Sequence, residues 1–281
     1  MIPSVAAAAQ LNPADEFTDA TKPLSIAGHQ LSFHIGALDM SISKAVVYLW
    51  IGAIITAVIC IGISKAARMM PNRKQTAFEG LYEYVRDVLV GAVMPAGAAV
   101  AWFPYIASLF LFILISNIIG LIPLPFNLAE GFHNIPEFKT YAATANINVT
   151  VALAAITFVA THVSGIRANG ALGYFKGWAP GTAPPVLKQV LLVLHGISEV
   201  FRLVSLSVRL FANLAAGHLV LLVFYAMMLM IQSWALSVLI APLELGVVVV
   251  SLFEIFVALI QAYIFAILSA VYIGGAIHQE H

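Results

Sequence analysis

Between Ser198 and His218 the chain reads SEVFRLVSLSVRLFANLAAGH, which sets Glu199, Arg202, Arg209 and His218, with His195 just upstream, inside an otherwise apolar run. An ionisable side chain at membrane depth costs from about 3 to above 10 kcal/mol, so such groups mark function. Imidazoles and carboxylates in a mixed environment exchange protons near neutral pH. A guanidinium does not give up its proton in a protein. Positions 195, 199, 202, 206, 209 and 213 step by four and three residues. On a helix that spacing predicts one stripe holding His195, Glu199, Arg202, Arg209 and Asn213.

A second polar set lies downstream, where Glu254 and Gln261 are spaced to share a helix face. Reflection about a turn near Ser233 brings Arg209 opposite residue 257, within about a turn of both Glu254 and Gln261. It leaves His218 nearer one membrane surface and His195 and Glu199 nearer the other. His218 with Glu254 can then form one hydrated proton path, and His195 with Glu199 another. Arg209 stands between them as a divider. Protons must be carried past it, and Glu199, Glu244 and Glu254 are all fixed on helices expected to be packed, so the carrier carboxylate belongs to a partner. Ala212, Ala215, Ala216 and Gly217 provide a small-residue surface for its approach. Near Arg209 a partner carboxylate ionises; moving into lipid, it must be protonated.

Other polar groups receive plainer readings. Arg202 is expected at the interface, against lipid headgroups. Glu244, just after Pro242, is expected in the first turn of a helix, stabilised by its dipole near the outer surface, where it also stands as a candidate for the mouth of the outer path. His29 and His34 are five apart, a spacing that serves neither a helix face nor a strand face for a shared metal. Cys60 is the sole cysteine, so no disulfide or cysteine-rich metal site forms within the chain. No metal and no cofactor are expected.

The elements that position these groups follow from composition. Hydrophobic residues make up 62 % of the 281 and charged residues 9 %, with 13 basic and 13 acidic side chains. The balance gives no basic face for nucleic acid, and ten-residue alternating segments of a β-barrel are absent. Uncharged runs near the length that crosses about 30 Å of hydrocarbon predict an all-α polytopic membrane protein. Its spans fall over about 45–63, 103–124, 145–164, 186–231 and 236–277. Between the first two, TAFEGLYEYVRDVLV predicts an amphipathic helix over 76–90, lying in the interface or packing on a partner.

The last two segments, at about 40 residues each, are about 60 Å long, twice the hydrocarbon thickness. They are expected as a long, strongly tilted hairpin. Residues 1–44 read as an outer-side arm and 45–281 as a single helical membrane domain. Basic residues gather in the loops after the first and third spans, which predicts the N-terminus outside and the C-terminus inside. No internal repeat is visible, which disfavours inverted-repeat transporters.

At SLSVRLFANLAAGH, Ser205 to His218, and LFEIFVALIQAYIFAILSAVYI, Leu252 to Ile273, the sequence closely resembles subunit a of the F-type ATP synthase membrane sector. FLFILISNIIGLIP, NINVT and LYEYVRD extend the resemblance over nearly all of residues 45–275. It implies that Arg209 faces a rotating ring of c subunits whose carboxylates are the carriers, and that His218, Glu254, Asn213 and Gln261 line or border the outer half-channel. In part of the family the acid and the imidazole sit on the opposite helices; here the pair is exchanged. The inner half-channel usually has Glu where this chain has His195, and Glu199 lies one turn on.

The implied role is the stationary, non-catalytic proton-channel subunit, with the c-subunit ring, peripheral-stalk b subunits, the lipid bilayer and protons as partners. No phosphate-cradling glycine motif is present for ATP chemistry. A bacterial inner membrane is favoured over a mitochondrial one, since no transit peptide is seen. A self-contained ion transporter and a structural stator anchor remain as alternatives.

Overall fold

The computed structural model describes residues 43–66, 73–121, 142–178, 184–230 and 240–278, with four two-residue strands between Ser25 and Asp39. The break at Pro71, the loop carrying Glu130, His133, Glu137 and Lys139, most of the Pro- and Gly-rich run before Pro184, and the turn at Ser233 lie outside the described residues. Strands β1 (Ser25–Ile26) and β2 (His29–Gln30) pair antiparallel, as do β3 (His34–Ile35) and β4 (Leu38–Asp39). The arm therefore forms two minimal ladders that the histidine spacing did not predict.

The helices are α1 (Lys44–Ala66), α2 (Arg73–Glu83), α3 (Ala96–Leu121), α4 (Ile147–Asn169), α5 (Ala171–Lys176), α6 (Pro185–Met230) and α7 (Ile240–Ile277). Among the described residues five are long and apolar enough to cross a membrane: α1, α3, α4, α6 and α7. This is an all-α polytopic membrane protein. In α1 the large side chains Trp50, Ile54, Val58 and Ile61 are more than half exposed, as expected where lipid replaces water as the surrounding solvent.

Boundaries depart from the sequence reading for local reasons. Helix α3 starts at Ala96, directly after Pro95, because Pro104 does not end it and only removes one amide donor from its interior. Helix α4 continues beyond Ser164 through Gly165 and stops at Gly170, whose φ of 72° only glycine adopts without strain. The expected interfacial helix is α2 followed by a π-helical stretch, Tyr84–Val90, closed by the Gly91 amide donating to Arg86 O at 2.8 Å. In the π-helical stretch Val85, Leu89 and Val90 are buried, while Phe78 and Tyr82 on α2 are exposed.

The chain packs as two compact units. Unit one comprises Met1–Ile54, Leu114–Asn146 and Phe211–Ile260. At its centre the buried Asn117 of α3 accepts from Thr144 Oγ1 at 2.7 Å and donates to Ala258 O at 3.4 Å. That satisfies a polar group where no water competes. Gly120 lets α3 lie directly against the backbone of Ala142.

Unit two comprises Ile55–Ile113, Ile147–Leu210 and Gln261–His281. Tyr105 and Thr157 share a hydrogen bond of 3.0 Å. Asn169 Nδ2 reaches the end of α7 at Ala276 O (3.1 Å) and Ile277 O (3.3 Å). Gly165 fits under the Tyr174 ring, and Gly274 against Val93 O. Along α7, Ala262, Ala266, Ser269 and Ala270 are buried, a small-residue seam that permits close helix approach without a hydrophobic driving force.

Candidate proton-path residues

Helix α6 presents its polar stripe more obliquely than the spacing predicts. Glu199 is buried together with Leu206 and Leu210, whereas Arg209 is exposed beside Ser205, Ala212 and Ala216. At about 100° per residue Leu206 and Leu210 fall within about 20° of Glu199 around the axis, whereas Arg209 lies about 80° away, at the edge of the stripe. Arg209 Nη2 lies 3.4 Å from Ser205 Oγ, to which it donates. Ala215 is buried and Gly217 half-buried, so of the four small residues expected on the approach surface only Ala212 and Ala216 face outward.

In unit two, His195, Glu199 and Arg202 form one cluster. Arg202 Nη1 donates to Glu199 Oε1, and His195 Nε2 is 3.4 Å from the same oxygen. The Arg202 guanidinium also sits over the Tyr272 ring of α7, 5.1 Å from its centroid. Arg202 thus makes an ion pair and a cation–π contact while its side chain stays 41% exposed. Glu199, Arg202, Thr157, Thr161, Leu206 and Tyr272 line a narrow crevice.

In unit one the second constellation is tighter. Glu254 is buried on α7 directly over the backbone of Gly217 on α6, where an added Cβ would meet Glu254 Oε1 at 2.5 Å. His218, the next residue, is half-buried. Among the described residues neither Glu254 oxygen receives a hydrogen bond. Burial of a carboxylate without donors is costly. Asn213 is half-buried one turn before.

The helix register differs from the reflection about Ser233. Within unit one Gly217 faces Glu254 and Gly246 faces Phe224; within unit two Arg202 faces Tyr272. Counting from Arg202 and Tyr272 brings Arg209 level with Phe265, about one turn from the buried Gln261. Glu244 is exposed and is the fifth residue of α7, since the helix begins at Ile240, so it lies beyond the first turn expected for it.

Sequence reasoning did not single out Trp178 or Tyr272, although each touches one of the candidate groups. Trp178 lies with its ring centroid 4.8 Å from that of His195. Its signal was a lone tryptophan in a polar loop, which spacing cannot connect to a helix that follows.

The sequence model of the ATP synthase A chain family matches residues 46–274. ATP synthase subunit a of Rubrobacter xylanophilus is 38% identical over 252 residues, covering 89% of this chain and 90% of the relative. The subunit a of Chlorobium phaeobacteroides is 36% identical over 257 residues, 88% of this chain and 68% of that protein. That of Rhodopseudomonas palustris is 33% identical over 250 residues, 88% and 93%. With the family match spanning all five apolar helices, the chain belongs to the ATP synthase subunit a family.

Proposed function

We propose that this chain is the stationary proton path of a rotary F-type ATP synthase in a bacterial membrane. Two offset half-channels, separated by Arg209, deliver protons to and from the carboxylates of a c-subunit ring. His218, Glu254 and Asn213 serve the outer path, with Glu244 at its mouth. His195 and Glu199 serve the inner path, and Gln261 borders Arg209. The chain is non-catalytic toward ATP, its residues 1–44 form an outer-side arm, and peripheral-stalk b subunits hold it against rotation. The N-terminus lies outside and the C-terminus inside.

The observation that carries the reading is the setting of Arg209, exposed on a face of small residues, Ser205, Ala212 and Ala216. A permanent cation turned outward from a membrane helix needs a countercharge, and small neighbours allow another helix to bring one within reach. A ring carboxylate arriving there has its charged form favoured and releases its proton. On leaving for lipid it must bind one again. Each charge moved through the membrane potential makes available about 2.3 kcal/mol per 100 mV.

Arg209→Ala in the assembled complex tests this. Proton-driven ATP synthesis is expected to be abolished while the complex still assembles; synthesis at the parental rate would leave only a structural stator anchor. Reconstituting the chain alone in vesicles is expected to give no proton transport, and unaided transport would instead indicate a self-contained transporter.

A further inference from the structure

One side of the His195 ring is covered by the Trp178 indole, 4.8 Å away between centroids and inclined by 33°. The same indole covers Gly196, where a Cβ would meet its Cζ3 at 3.8 Å. Behind it stand Phe175 at 5.2 Å, Tyr174 at 5.8 Å and His162 at 6.2 Å. These rings come from α4, α5 and the turn after α5, so the wall is built by elements outside the long hairpin. The His195 side chain as a whole remains 35% exposed.

Of the groups in the cluster, the Arg202 guanidinium does not exchange protons, and it already holds the oxygen of Glu199 that His195 Nε2 approaches. The imidazole is the group whose ordinary chemistry suits proton exchange near neutral pH. Its ring plane is set by a tilted stack on one side and by Glu199 Oε1 at one nitrogen. An unheld histidine on an exposed helix face would sample several rotamers, each placing its nitrogens differently.

We propose that Trp178 is a positioning residue for proton transfer at His195, holding the imidazole between the aromatic wall and Glu199. The inference rests on the proton-path reading above. The charged and titratable groups acting on the imidazole are Glu199 and Arg202 on α6 and His162 on α4. Tyr174 on α5 packs on Trp178, and Tyr272 on α7 lies under Arg202. Removing the stack changes both where the ring points and how it is solvated, so rate and pH dependence change together.

The test uses the whole complex in vesicles, with proton transport measured while pH is varied on the inner side alone. Trp178→Leu is expected to slow transport by about three- to tenfold and to move the inner-side pH inflection by about half a unit or more. Trp178→Phe, which keeps an aromatic face, is expected to recover both. Added to His195→Ala, Trp178→Leu is expected to cause no further loss. An unmoved inflection in Trp178→Leu, or a full additional loss in the double variant, would show that Trp178 only supports the fold. If His195→Ala alone left transport and its pH profile unchanged, the inner path itself would be misassigned and the positioning role would fall with it.

Discussion

Glu254 Oε1 occupies the space that a side chain at Gly217 would need: a Cβ there would stand 2.5 Å from it. The carboxylate therefore lies over bare backbone, one residue from the imidazole-bearing His218. Acid and histidine come from different helices, and glycine is what lets the acid reach the helix of the other.

Gly217→Ala is accordingly expected to move the carboxylate. The obstructing atoms all belong to one flexible side chain, and alanine gains roughly 1 kcal/mol over glycine inside a helix, so the stability of the fold should change little. Proton-driven synthesis should nevertheless fall severalfold, and more in Gly217→Val. Normal synthesis by both variants, assayed in membranes with matched amounts of complex, would show that the position of Glu254 is immaterial.

Gly120 offers the opposite case. Its added Cβ would run into Cα and Cβ of Ala142, which cannot rotate away. Gly120→Ala is expected to destabilise the purified chain by about 1–3 kcal/mol. Thermal unfolding in detergent would read this as a lowered Tm, whereas an unchanged Tm would mean that α3 does not pack on Ala142 as closely as described.

Asn117→Leu removes the acceptor of Thr144 Oγ1 and the donor to Ala258 O. Thr144 is fully buried, and a polar group left unsatisfied there costs about 1–3 kcal/mol. Ala258 lies one turn from Glu254 on α7, so the variant should lose both stability and transport rate. Loss of stability with an unaffected rate in the surviving complexes would separate the network from the outer path.

The site was legible in sequence where chemistry is local. Arg209, His218, Glu254 and Gln261 announced themselves as polar groups in apolar helices, and the five spans followed from run length. Register was less accessible, because the turn that sets it carries no distinctive geometry in sequence: reflection about Ser233 puts Arg209 opposite residue 257, about two turns from Phe265, with which the Arg202–Tyr272 contact aligns it. Ala215, expected on the approach surface, is buried instead. Which side of a helix packs depends on its neighbours, and hydropathy cannot rank faces when nearly every residue is apolar. Trp178 meets His195 because the chain after α5 returns against α6, a contact that spacing along one helix does not encode.

Outside the membrane, Asp87 in the π-helical stretch is held below the usual carboxylate range, chiefly by the hydrogen bond from Arg86, at 2.8 Å. The folded-state value is depressed, so the small stability this pair contributes is present above the ordinary aspartate value and is lost as pH falls through the lowered one. Arg86→Gln should return Asp87 toward the ordinary value, read by carbon-detected NMR of the labelled side chain. No movement would mean that the exposed pair is open in solution.

The face of α6 that carries Arg209 is expected to meet the rotor. Cysteine substitution tests it most directly, in the assembled complex with the exposed Cys60 replaced by serine. Ser205→Cys and Ala212→Cys, flanking Arg209, are expected to form disulfides with cysteines placed next to the ring carboxylate. Ile54→Cys, 62% exposed on α1, is expected to form none. Cross-links from Ile54→Cys and none from Ser205→Cys or Ala212→Cys would contradict the account.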